Sequence, residues 1–221
     1  MSLVIGSLLL LVLTAVSQTA IAGNPLRYAE DRSPAIVNPL FATTMSEARL
    51  NELVFEGLFS DDLELRSAPR LAERWELADD NKSIVIYLRH GVKWHDGNPF
   101  RAEDVAFSIN AMKNRATAST EAGRAAWIKS VQVVDDVTVT LTFNDPEYAP
   151  EDKLHFKILP AHKFDSDTVS RTDPFRNQPI GTGPYAVTSF NDDNSITMDK
   201  WADYWGESHL DKTVMREVAD H

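Results

Sequence analysis

The chain has 221 residues, 43% of them hydrophobic and 25% charged, a formal net charge of −11 and no cysteine. This is the composition of an ordinary folded domain or two, not of a disordered or fibrous chain. The acidic balance, with no Lys/Arg run, excludes nucleic acid as a partner, because a polyanion needs a basic face to displace its counterions. The missing cysteine excludes disulfides, thiolate metal sites, cysteine nucleophiles and a lipid-modified N-terminal cysteine.

Leu3 to Val16 is almost wholly apolar and leads to Ala20-Ile21-Ala22, a small-x-small cleavage pattern before Gly23. Residues 1–22 therefore read as a secretory signal peptide. A membrane span needs about 20 apolar residues, and Ser17-Gln18-Thr19 interrupts this run too early. The segment departs from the usual pattern in having no Lys or Arg ahead of it.

Leu26 to Ala29 predicts a first strand that opens into the polar Glu30-Asp31-Arg32-Ser33. Thr44 and Glu47 have capping-box spacing, so a helix should follow with Leu50, Leu53, Val54 and Leu58 on one face. From Trp75 the pattern is dense. A strand is followed by the turn formers Asp79-Asp80-Asn81, then by a strand that alternates Ile84, Ile86 and Leu88 with Val85 and Tyr87. Asp96-Gly97 supplies the next turn, and Val105, Ile109 and Met112 give the helix after it a buried stripe. A second hairpin places Val131 and Val133 opposite Val137, Val139, Leu141 and Phe143, with threonines alternating between the last four. A third runs from Tyr185 to Phe190 and returns through Ile196 and Met198, and Val214 to Val218 reads as a last strand.

Several of these segments resemble, in order, the family 5 extracellular solute-binding proteins of ABC importers. They are Phe55-Glu56-Gly57-Leu58, Leu71-Ala72-Glu73-Arg74-Trp75, Leu88 through Gly97, Ala102-Glu103-Asp104-Val105-Ala106-Phe107-Ser108, Ile158-Leu159-Pro160, Gly181-Thr182-Gly183-Pro184-Tyr185 and Asp203-Tyr204-Trp205-Gly206. The resemblance implies an α/β fold, the first lobe of a type II periplasmic binding protein carrying an inserted α+β subdomain. Residues 23–41 and 178–221 would form the lobe's nucleus and 42–177 the insert, and the second lobe would be missing. The chain would then be an incomplete N-terminal portion of a periplasmic importer component, monomeric when whole. That component would capture a peptide or related small solute and deliver it to an inner-membrane ABC permease. With one jaw absent, the isolated chain would bind weakly or be a remnant without solute binding. The family usually has Thr or Ser where Arg101 stands, a helix N-cap that arginine cannot provide.

Carried over residue by residue, the resemblance puts Glu30, Asp31 and Arg32 at the cleft, with Thr43 and Met45 just before the first helix and Trp127 as an aromatic wall. Each also has a plainer reading. Arg32 can be a solvated surface arginine, Met45 a helix staple and Trp127 a core residue.

No cofactor is implied. His90 with His95, and His155 with His162, lack the third and fourth ligands that a metal site needs. The adjacent aspartates at 61–62, 79–80, 135–136 and 192–193 fall in polar breaks where Asp serves turns, and no nucleophile elbow, P-loop or His-Glu-x-x-His occurs. A binder is therefore expected rather than an enzyme, with a secreted peptide-handling hydrolase as the competing class.

Overall fold

The structure, a computed structural model, describes residues 25–218, so the segment read as a signal peptide lies outside it. Two four-stranded sheets and three α-helices frame the described chain. The strands β1 (Leu26–Glu30), β8 (Tyr185–Phe190), β9 (Ile196–Lys200) and β10 (Lys212–Glu217) form the first sheet in the order β1-β10-β9-β8. There β1 runs parallel to β10, with Tyr28 opposite Met215, so the two ends of the described chain meet in one sheet. The second sheet is antiparallel, in the order β4-β5-β7-β6, from β4 (Ala72–Leu77), β5 (Ser83–Leu88), β6 (Ile128–Asp135) and β7 (Thr138–Phe143). A short hairpin of β2 (Phe59–Asp61) and β3 (Ser67–Pro69) lies between the sheets in sequence.

Alternation accounts for the middle of the second sheet. Ile84 and Ile86 of β5 pair with Leu141 and Val139 of β7, and all four side chains are buried. Each contributes roughly 2 kcal/mol of hydrophobic stabilisation. The alternation fails on β6, where Val133 is 43% and Val134 56% exposed. That strand is the sheet's edge, and its register slips between Val133 and Asp135, so the inward-outward order is lost there.

The three helices are α1 (Met45–Val54), α2 (Ala102–Lys113) and the single turn α3 (Ala122–Ala125). Helix α1 begins with both halves of its capping box: the Thr44 hydroxyl accepts from Glu47 N at 3.2 Å, and the Glu47 carboxylate accepts from Thr44 N at 3.1 Å. Leu58 does not belong to this helix, as its spacing suggested. The helix ends at Val54 and the next residues are extended, because Ile158 N donates to Glu56 O at 2.9 Å and Gly57 bridges to Lys157. Leu58 is buried all the same. At α2 the carboxylate half of a cap is enough: Asp104 accepts from Arg101 N at 2.9 Å, and the Arg101 guanidinium turns away to Asp136 at 2.8 Å.

The four aspartate pairs behave as turn formers. In each, one carboxylate accepts the backbone N–H two residues on: Asp62 from Glu64, Asp80 from Lys82, Asp135 from Val137 and Asp193 from Ser195.

Residues 181–183 lie directly on the end of α1. Gly183 N donates to Val54 O at 2.9 Å, and a Cβ on Gly181 would stand 1.7 Å from that same oxygen. Gly181→Ala should therefore remove several kcal/mol of stability. Gly123, with open space around its Cβ position and no positive φ, should accept alanine with no loss. Thermal melts of the two variants check this, and a Gly181→Ala melt within 2 °C of the parent's (~0.5–1 kcal/mol) would contradict it.

Candidate functional site

Helix α1 presents Ala48, Asn51 and Glu52, spaced i, i+3 and i+4, to a cavity of about 120 Å³. Pro39, Leu40, Met112 and Phe156 supply its apolar lining, and Glu52, Glu121, Arg124 and Lys157 its charges. Two connections assemble it. The hydroxyls of Ser119 and Thr120 donate to Leu40 O at 2.8 and 3.0 Å, which draws the start of α3 across to the turn before α1. The Gly57–Lys157 bridge lays the 155–158 segment along the other side.

The charges are arranged in pairs. Arg124 Nε meets Glu121 at 2.9 Å, and Lys157 Nζ meets Glu52 at 2.6 Å, with the lysine side chain 13% and the glutamate 66% exposed. A neighbouring cavity of about 250 Å³ shares Glu52 and Lys157 and extends to Asp61 and Arg70. Asn51 is 3% exposed, and neither its carboxamide nitrogen nor its oxygen has a hydrogen-bond partner. A buried amide in that state costs of the order of 1–3 kcal/mol per unsatisfied group.

A larger recess of about 680 Å³ runs along β8, lined by Pro179, Ile180, Trp201 and His95 among others. Its imidazole is already committed. His95 Nε2 donates to Gly183 O at 2.8 Å while Nδ1 accepts from Gly181 N at 3.2 Å, and His95 N donates to Gly181 O at 2.9 Å. Both ring nitrogens are used, which fixes the neutral tautomer. Burial is the main cause that lowers this imidazole's pKa to about 4.

A second anchor is Glu56, 3% exposed, whose carboxylate takes Tyr204 OH at 2.9 Å, Trp205 Nε1 at 2.8 Å and Arg70 Nε at 3.2 Å. Burial pushes its pKa up, against the pull of the Trp205 N–H, the Arg70 charge and the Tyr204 hydroxyl. Arg89 lies over the Trp205 ring at 4.1 Å. Glu56 thus ties the Asp203-Tyr204-Trp205-Gly206 loop to the segment leaving α1.

The residues expected at the cleft are placed as follows. Glu30 is buried, with both carboxylate oxygens on Arg49 at 3.1 and 2.8 Å. Asp31 and Arg32 are exposed in the bend after β1. Thr43 donates through its backbone N and its hydroxyl to Glu47 at 2.7 and 3.3 Å, and Met45 is 66% exposed at the first position of α1. Trp127 is half-buried. It packs on Phe143 with ring centroids 4.9 Å apart, donates to Arg124 O at 2.7 Å and has the Lys153 ammonium 5.2 Å over its ring. None of these six lines the 120 Å³ or the 250 Å³ cavity, although Trp127 reaches the backbone of Arg124, which lines the first. Asn51, Arg124 and Lys157 went unselected from the sequence. The available signal was a polar residue, Asn51, beside Leu50 and Val54 on the buried side of α1.

One constellation has the outline of a hydrolytic triad: Ser67 Oγ lies 2.8 Å from His155 Nε2, and His155 Nδ1 lies 3.6 Å from Asp61. The proton count runs the other way. Ser67 donates its hydroxyl proton to Asp152 at 2.6 Å, so His155 Nε2 must donate to Ser67 Oγ and turns no lone pair towards it. Among the described residues no group of three or more His, Asp or Glu side chains is placed to hold a metal ion, and no helix is long and apolar enough to cross a membrane.

Comparison with known proteins settles the family. The family model of the bacterial extracellular solute-binding proteins, family 5, matches residues 67–221. The chain belongs to that family. It is 31% identical over 191 residues to a putative ABC transporter peptide-binding protein of Brucella ovis, covering 83% of this chain and 35% of that one. With the dipeptide-binding protein of Escherichia coli it shares 28% identity, covering 96% and 45% of the two chains. The chain therefore spans less than half the length of these curated relatives.

Solved structures agree. NikZ of Campylobacter jejuni, in complex with Ni(L-His), superposes with a TM-score of 0.78 at 29% identity, over 88% of this chain and 39% of that one. CtaP, an ABC transporter substrate-binding protein of Listeria monocytogenes, gives 0.80 at 27%, over 90% and 41%. Residues 25–218 thus have the α/β architecture of part of a type II periplasmic binding protein. Family members of this kind are transport components.

The His95 clamp carries a pH prediction. Its pKa is about 4 in the fold against 6.5 for a free imidazole. Between those values the unfolded chain binds the extra proton, so this contribution is fully present above pH 6.5 and is lost as pH falls towards 4. About 3 kcal/mol is at stake. Denaturant unfolding at pH 7 and pH 5 should show a drop in stability that His95→Gln reduces. An equal drop in both proteins would contradict the assignment.

Proposed function

We propose that this chain supplies one wall of the solute-capturing cleft of an ABC importer's binding component, and that the solute is a peptide or a related small molecule. The observation that carries the reading is the cavity against α1, where an apolar floor and paired charges converge in a chain of this family. Apolar lining with a few convergent polar groups is the usual make-up of a small-ligand site. The names of relatives support the solute class, since they bind peptides, dipeptides and glutathione.

In this reading residues 42–177 are an inserted subdomain, and 23–41 with 178–221 the nucleus of the first lobe. A second lobe in the whole protein closes over the wall, and Glu30, Asp31, Arg32, Thr43, Met45 and Trp127 stand around the opening. The leader at 1–22 directs export to the periplasm, where the monomeric protein meets its permease. The role is capture without catalysis.

Titration of the isotopically labelled chain with trialanine, followed by NMR, tests the reading. The resonances of Ala48, Arg124 and Lys157 should move together and saturate with a Kd of about 1 mM or tighter, some 4 kcal/mol of binding. Lys157→Met should weaken that Kd about tenfold through loss of a charge-assisted contact to the peptide carboxylate. Hydrolysis of the trialanine, or shifts confined to residues far from α1, would contradict it.

A further inference from the structure

Lys157 stands apart from the other ion-paired cations of the chain. Among the described residues every other lysine or arginine in an ion pair leaves 34% or more of its side chain exposed, while Lys157 leaves 13%. An ammonium so enclosed needs a counter-ion at hand. The one it has is Glu52, at 2.6 Å, and that carboxylate is 66% exposed and makes no other hydrogen bond among the described residues. Two other lopsided pairs are built the opposite way, with the acid enclosed and the cation outside: Glu30 beside Arg49 and Glu56 beside Arg70. Glu52 and Lys157 belong to the walls of both the 120 Å³ and the 250 Å³ cavity, so the pair stands where the two meet. An enclosed cation at a cavity, held by a loosely tethered acid, is an arrangement that suits exchange of the acid.

We infer that the Lys157 ammonium is the subsite for a free carboxylate of the solute, and that Glu52 is a stand-in carboxylate which holds the subsite in the empty protein and swings out to water when the solute's own carboxylate arrives. This rests on the cleft reading above and deepens it. The exchange is like for like: one carboxylate replaces another on the same N–H donors, so the enclosed lysine is never left without a counter-ion, a state that is strongly unfavourable. An ammonium has three donors and Glu52 takes one, which leaves a donor for the incoming group before the first bond is released. Glu52 loses little on leaving, because an ion pair with one member largely in water is a weak tether. The other charges nearby are less suited. Glu121 and Arg124 are a local i,i+3 pair with the cation 60% exposed, and in the second cavity Arg70 is held by the enclosed Glu56. A solute with a neutral end cannot replace the counter-ion and leaves Glu52 in place, so the subsite selects for a free carboxylate. Occupation by Glu52 also lowers the apparent affinity by the fraction of time it holds the site.

The test titrates the full chain and its Glu52→Gln and Lys157→Met variants with trialanine and with trialanine amide, whose C-terminal carboxylate is replaced by a neutral carboxamide. Glu52→Gln keeps the shape and removes the competing charge, so it should bind trialanine about three- to fivefold more tightly than the parent. It should bind trialanine amide no more tightly. In the parent, trialanine should shift the Glu52 side-chain carboxylate resonance and the amide should not. Lys157→Met should bind the two probes alike. A merely structural pair would behave differently, since Glu52→Gln would then loosen the wall and weaken both probes. If Glu52→Gln binds trialanine no more tightly than the parent, or gains equally for both probes, or if the Glu52 carboxylate does not respond while Ala48 and Arg124 do, the inference falls and the cleft reading stands. If neither probe moves any of these resonances, both fall.

Discussion

The contact on which the rest depends has no side chain in it. Gly181 and Gly183 let one extended segment lie against the last carbonyl groups of α1, closer than any Cβ permits. From that contact the segment runs straight into β8 and so into the sheet that holds β1 and β10. His95 then grips the same glycines from the other side through three hydrogen bonds. The helix that forms the cavity wall, the first sheet and the loop after β5 are thereby fixed to each other by main-chain geometry, which relaxes less readily than packed side chains.

Buried charge in this protein serves the same end. Glu47, Glu56 and Asp104 are each nearly inaccessible; Glu47 gathers N–H donors from the turn before α1, and Glu56 and Asp104 gather N–H or O–H donors from segments distant in sequence. Asp104 joins the start of α2 to Trp94 and to Ala161, and Glu56 joins the end of α1 to residues 204–205. Desolvation raises both carboxyl pKa values, and the donors work against it. A carboxylate so surrounded is a structural fastening, with little capacity left for an incoming ion or a proton to be moved in catalysis. The same holds for Ser67, whose proton is given to Asp152.

Much of the fold could be read directly from residues. Period-two alternation located β5 and β7, the capping box located α1, and aspartate pairs located the turns, because each of these is set by local stereochemistry. Where a neighbour decides, the sequence was less informative. The end of α1 depends on the 155–158 segment pairing with residues 56–57, about a hundred positions away, and so Leu58 was assigned to the helix. The exposure of Val133 and Val134 follows from the edge position and bulge of β6. The wall of the cavity was hidden for a similar reason. Arg124 and Lys157 look like ordinary surface cations until the Ser119 and Thr120 hydroxyls and the Gly57 bridge bring them to α1, and the isolation of the Asn51 amide exists only in three dimensions.

The wall of the cavity against α1 is therefore a preformed surface, held by the glycine contact. Native-state hydrogen exchange measures that contact most directly. If residues 181–183 are part of one cooperative unit with both sheets, the amides of Gly183 and His95 should exchange with the same opening free energy as those of Ile86 and Val139 in the second sheet and Thr197 in the first. Gly183 and His95 exchanging several kcal/mol more easily than the sheet interiors would show that the segment opens by itself, and the wall would then not be preformed.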